Sequence, residues 1–135
     1  MNYATNIKKL FFYSFFTILL SIALSSTTFA PKANAMNYKG NPKVAFHTDA
    51  NTYSKKATTI DVIGKSPNSV GVAVELHKKG DPKFYRRIDI NRAGNYKVSF
   101  SLRGLKSGLY DVKVIGGWAH MVYRAELQHY LKVIR

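Results

Sequence analysis

Beyond residue 43 the chain alternates apolar and polar residues with a period of two, the spacing that sends successive side chains to opposite faces of a strand. Val70, Val72, Val74 and Leu76 alternate with Gly71, Ala73, Glu75 and His77. Tyr96, Val98, Phe100 and Leu102 alternate with Lys97, Ser99, Ser101 and Arg103, and Tyr110, Val112 and Val114 with Asp111 and Lys113. Phe84, Arg86, Ile88 and Ile90 oppose Tyr85, Arg87 and Asp89, which predicts an edge strand whose charge discourages unwanted pairing. Shorter strands are predicted near Val44 to His47 and Thr58 to Ile63, with a polar loop between them. Turns are predicted at Lys79-Gly80-Asp81-Pro82 and around Gly94, where glycine and proline set the backbone. Sheets with one wet face are antiparallel.

The last segment reads two ways. Leu127, His129, Leu131 and Val133 alternate as in a strand, whereas Tyr123, Leu127, Tyr130, Leu131 and Ile134 share a helical face. The Gly116-Gly117 break before residues 119–134, and the need of the other strands for a closing partner, favour the strand. Six or seven short strands with no other helical pattern predict one all-β domain over residues 44–135, an antiparallel β-sandwich. Residues 36–43, polar with Gly40 and Pro42, read as a flexible lead-in.

Between two alternating strands, Leu105-Lys106-Ser107-Gly108-Leu109-Tyr110 resembles the tyrosine corner of fibronectin type III and related immunoglobulin-like sandwiches. The resemblance implies that Leu105 packs under the corner and that the Tyr110 hydroxyl bonds back to upstream backbone. It covers about Tyr96 to Val114 and concerns the fold alone. The single tryptophan, Trp118, follows this region instead of lying in an early core strand, and no Arg-Gly-Asp loop is present. Function does not transfer with such a fold.

Residues 1–35 have the three parts of a cleavable signal peptide: Lys8 and Lys9, an apolar run from Leu10 to Leu24, and the small-residue end Ala33-Asn34-Ala35. A cut after Ala30 would place Pro31 just past the bond and is the poorer site. The apolar run is roughly 15 residues, short of the ~20 of a spanning helix. No later stretch reaches spanning length, so the mature chain is expected to be secreted, with retention at the cell wall by charge. There is no cysteine, so the domain must rely on its packing where small secreted domains commonly use disulfides. Together with the abundance of Lys, Asn and Tyr, this resembles a secreted protein of an AT-rich Gram-positive bacterium.

The whole chain carries a formal charge of +14. Loss of the leader removes Lys8, Lys9 and Lys32 but no acid, leaving eighteen basic residues against seven acidic and a charge of +11. Such a field attracts polyanions whatever the fold: teichoic acid, anionic lipid or extracellular nucleic acid. The alternative is that the charge serves solubility alone.

Local signatures of chemistry are missing. There is no Gly-x-Ser-x-Gly elbow and no glycine-rich phosphate loop, and the four histidines are scattered, without ligand spacing. The expectation is a protein with no enzymatic activity, cofactor or metal. Two regions stand out. Lys78, Lys79, Lys83, Arg86, Arg87 and Arg92, with Phe84 and Tyr85 among them, form a candidate polyanion-binding hairpin. Trp118, His120 and Tyr123 mark a candidate aromatic binding loop. The favoured function is a secreted binding module for anionic envelope polymers. A membrane-directed antimicrobial or toxin-like effector is the alternative, and a small secreted enzyme the third reading.

Overall fold

The computed structural model describes residues 34–135. The leader expected over residues 1–35 lies outside that range except for Asn34 and Ala35. Among the described residues ten strands form: β1 (Met36–Gly40), β2 (Phe46–Thr48), β3 (Thr52–Tyr53), β4 (Thr59–Ser66), β5 (Val72–Lys78), β6 (Phe84–Ile90), β7 (Gly94–Ser101), β8 (Gly108–Trp118), β9 (Met121–Leu127) and β10 (Leu131–Val133). Among the described residues the one helical segment is the 3-10 turn Pro42–Val44, capped by Asn41, whose side chain accepts from the Lys43 amide at 2.9 Å. The fold is therefore an all-β sandwich, and no helix among the described residues is long and apolar enough to cross a membrane.

One layer runs β1-β2-β4-β7 and the other β6-β5-β8-β9-β1. β1 belongs to both. Met36 and Asn37 pair with Thr48 and His47 of β2, and Tyr38 to Gly40 then pair with Leu127 to Ala125 of β9. The core lies between the layers. From one side it receives Ile60, Val62, Tyr96, Phe100 and Leu102, and from the other Val74, Leu76, Tyr110, Val112, Val114 and Leu127. These are the inward positions of the period-two pattern, and their removal from water is the main driving force of folding.

Four departures from the sequence reading have local causes. The flexible lead-in expected over residues 36–43 is instead β1 and the 3-10 turn. Its polar side chains hide a main chain that completes the edges of two strands, while Met36 and Tyr38 pack on the core. The strand count is higher than six or seven because β1 and β3 are added and because the long β8 shares one edge between β9 and the short β10. The pairing of β10 with β3 is parallel, so the sandwich is not wholly antiparallel. β5 is buried on both faces, Glu75 and His77 included, because it sits between β6 and β8. Over residues 119–134 the chain is strand and not helix, but the expected run through Leu127, His129, Leu131 and Val133 is broken at residues 128–130 into β9 and β10, and His129 is exposed.

One glycine shapes the first layer. A Cβ on Gly64 would lie 2.5 Å from the Tyr96 hydroxyl, so the missing side chain is what lets the Tyr96 ring lie across β4. That hydroxyl is buried without a protein partner, and burial pushes its pKa well above the usual phenol value.

Candidate functional site

The corner between β7 and β8 is the rigid part of the site. Leu102 and Leu105 are both buried, and the Leu105 amide donates to the Leu102 carbonyl at 3.1 Å. This tight turn leaves Arg103 and Gly104 exposed at its tip. The Tyr110 hydroxyl donates to the Lys106 carbonyl at 2.8 Å, the backward bond expected of a tyrosine corner. Lys106 is thereby held on the outside by its own main chain.

The β5–β6 turn docks beside this corner, the Lys79 amide donating to the Leu109 carbonyl at 2.9 Å. Inside the turn Asp81 accepts from the Lys83 amide at 2.9 Å, an Asx bond that fixes Lys83 on the outer rim. The pairing of β5 with β6 shifts register between Leu76 and His77, opposite Arg86 and Phe84, which leaves Tyr85 as an extra residue. Such a bulge bends its strand and re-aims side chains. Here Tyr85 donates to the Gly104 carbonyl at 3.4 Å, and the Arg86 guanidinium donates to the carbonyls of Ser101 and Arg103.

The six cations of the candidate hairpin therefore do not share one surface. Lys78, Lys79 and Lys83 gather at the corner end. Arg86 is held as a clamp between the layers. Arg87 points to the outer face of β6 and β5, where it meets Asp89 at 2.8 Å and the buried Glu75 at 3.2 Å. Arg92 lies beyond β6, at the other end of the sandwich, about 20 Å of strand away at roughly 3.3 Å per residue. Strand direction separates what the sequence interval had placed together.

Other segments enter the corner end from far along the chain. Lys55 and Lys56 lie beside the Arg135 guanidinium, which donates to the Lys55 carbonyl at 3.2 Å and the Ala57 carbonyl at 3.1 Å. Lys132 of β10 pairs with Leu109, and the Lys79 ammonium lies 5.1 Å from the centre of the Tyr130 ring. Lys55, Lys56, Lys78, Lys79, Lys83, Arg103, Lys106 and Lys132 thus meet at one pole with Asp81 as the only acid of these segments. Phe84, Tyr85 and Tyr130 stand exposed among them. Lys55, Lys56, Arg103, Lys106 and Lys132 escape a sequence reading because they are single residues or pairs in separate turns and, for Lys132, in the short β10, with no local run to announce them.

Most acids are engaged elsewhere. Glu126 pairs with Lys39 at 3.1 Å, and Asp61 with Lys97 at 2.8 Å. Glu75, besides Arg87, meets the buried His77 ring at 2.9 Å. Across the outer face of the second layer Arg87, Glu75, Lys113, Glu126 and Lys39 stand opposite one another in register. Alternating signs in such a row stabilise neighbouring strands, and they leave this face nearly neutral.

The aromatic loop also divides. Trp118 and Met121 pair at the tip of the β8–β9 hairpin, with Ala119 and His120 as its two-residue turn. Trp118 and His120 are exposed. Tyr123 is only 6% exposed and belongs to the core, its hydroxyl accepting from the Lys43 ammonium at 3.3 Å. It drops out of any surface site. Among the described residues no group of His, Asp and Glu side chains is placed to hold a metal ion.

Fold and surface together define a small β-sandwich with a basic, aromatic pole at one end and an apolar hairpin tip at the other. Compared with the models of known families, with characterised proteins and with solved structures, the chain matches none.

Proposed function

We propose that this is a secreted, non-enzymatic binding module that holds anionic cell-envelope polymers at the pole built by the β5–β6 turn and the β7–β8 corner. The observation that carries this reading is the convergence of eight cations from four segments, accompanied by Asp81 alone, around exposed Phe84, Tyr85 and Tyr130. Cations that follow a chain of phosphates, with rings beside them, form the usual platform for a phosphate polymer. Teichoic acid and extracellular nucleic acid both present that chemistry. The leader-like segment and the charge of the mature chain support export and retention at the wall. The Leu105–Tyr110 corner supports an immunoglobulin-like variety of sandwich, and the composition supports a Gram-positive source.

The test is a Lys79→Gln, Lys83→Gln, Lys106→Gln variant measured on teichoic acid, DNA and heparin at several ionic strengths. All three side chains are exposed and make no ion pair among the described residues, so folding should be unaffected. Polyanion binding draws energy from released counterions, so the log–log salt slope should flatten by about two to three on a nucleic acid. Equal binding by parent and variant at every salt concentration would remove this function from the pole.

A further inference from the structure

The opposite pole has different chemistry. Along β9 the inward residues Tyr123, Ala125 and Leu127 are buried, and the same face runs on to Met121, opposite Trp118 of β8. There the sandwich ends, leaving Trp118 52% and Met121 54% exposed. Val122, on the other face of the ribbon, and Val70, on the adjoining loop, are each 61% exposed. The loop is fastened to the hairpin by the Asn68 side-chain amide, which donates to the Gly117 carbonyl at 3.0 Å. Ala119 holds a φ of 54°, a left-handed conformation that costs a non-glycine residue energy and that tends to persist at functional positions.

The surroundings are basic. Asp89 of β6 borders this end and is paired with Arg87 at 2.8 Å, and the segments that build the end itself, residues 64–72, 91–95 and 116–124, contain no acid. They contribute Lys65, Arg92 and Arg124, all exposed and none ion-paired among the described residues. An apolar tip exposed on both faces of a ribbon is convex, so a flat protein surface would cover only one side of it. A bilayer can surround it.

We propose that the Trp118–Met121 tip, with Val70 and Val122 beside it, inserts into the interfacial layer of anionic phospholipid bilayers while Lys65, Arg92 and Arg124 meet the headgroup phosphates. Tryptophan favours that layer, and buried apolar area together with attraction to anionic lipid sets the strength of such binding. The inference is independent of the polyanion pole. The two surfaces lie at opposite ends, so a lipid surface and a polymer can be held at once.

Trp118 is the only tryptophan of the whole chain, so its fluorescence reports on the tip and not on the leader or the other pole. The full chain is titrated with vesicles of phosphatidylglycerol and phosphatidylcholine in equal parts, with pure phosphatidylcholine as the comparison. The expected result is a blue-shifted emission, protection from acrylamide and quenching by brominated acyl chains on the anionic vesicles, all much weaker on the neutral ones. A Met121→Ser, Val122→Ser variant should lose vesicle affinity roughly ten- to a hundredfold, as the burial of two apolar side chains would give. Its unfolding midpoint should stay near that of the parent. The Lys79→Gln, Lys83→Gln, Lys106→Gln variant should keep the full shift, which separates this site from the polymer site. Vesicle binding with unchanged Trp118 emission would overturn the proposal. So would a shift equal on neutral lipid, a shift untouched by the serine variant, or a shift that grows with protein concentration in the absence of lipid and so reports self-association.

Discussion

Two tyrosines of this core carry the same hydroxyl to opposite ends. That of Tyr110 is bonded to the Lys106 carbonyl, and that of Tyr96 is buried with no protein partner. Tyr110→Phe should therefore cost about 0.5–1.5 kcal/mol. Tyr96→Phe removes a desolvated polar atom and should be neutral or stabilising by about 1 kcal/mol. Urea midpoints of the two variants read both signs directly. Two carboxylates make a similar contrast. The Lys97 ammonium, helped by the Ser99 hydroxyl, holds Asp61 below the usual carboxylate range, whereas burial raises Asp111. For Asp61 the unfolded chain binds the proton more readily. Its contribution is present above about pH 4 and is lost as pH falls through the lowered folded value. For Asp111 the folded state binds the proton more readily, so stability falls as pH rises from the unfolded value through the raised one. Asp61→Asn should flatten the acid limb of a stability–pH curve, and Asp111→Asn should remove the decline on its weakly acidic side. Chemical denaturation at a series of pH values separates them.

Among the elements, the β5–β6 ribbon does the most to place chemistry. Its start depends on Gly71, which has a φ of +89° and lies so close to β6 that a Cβ would overlap the Ile90 carbonyl. The obstacle is backbone and cannot turn aside, so Gly71→Ala should destabilise by about 2 kcal/mol or more. Because the displaced partner is the end of β6, amide exchange in that variant should quicken over Ile88 to Asn91 before it does in β4 or β7. Protection lost evenly through both layers would show that Gly71 does not set this pairing. The far end of the ribbon is governed by the bulge at Tyr85. Without that extra residue Arg86 would not face the carbonyls of the β7–β8 corner.

At the scale of the whole molecule, what matters is how the positive charge is divided. The outer face of the second layer alternates in sign, and the surplus cations are left at the two ends. Arg86 and Arg87, adjacent in sequence, belong to neither end group. Arg86→Gln with Arg87→Gln should lower the unfolding midpoint, since one change frees two corner carbonyls and the other leaves the buried Glu75 without its guanidinium. The same pair of changes should leave the salt slope of polymer binding almost untouched, in contrast to the lysine variant. A slope that flattens as much for the arginines as for the lysines would locate the polymer on the face of β6 and not at the pole.

Strand identity was legible without coordinates, because burial on one face forces a period of two, and β4, β5, β6, β7 and β8 all show it in part. The Leu105–Tyr110 corner was legible too, its geometry depending only on residues a few positions apart. β1 and β3 were not, since main-chain pairing with distant partners holds them and hydrogen bonds of the backbone leave no mark in side-chain pattern. Nor was the site. The run from Lys78 to Arg92 looks continuous on paper, but a strand reverses the facing of each successive residue and carries its two ends apart, so the run divides among a pole, a clamp, an ion pair and the opposite end. The cations that do meet come from four separate segments, brought together by sheet order and by the Leu105–Tyr110 corner. Sequence alone determined that this protein is a strongly basic sandwich of strands. Only the tertiary structure decided where its charge and its exposed rings converge, because that depends on which strand lies beside which.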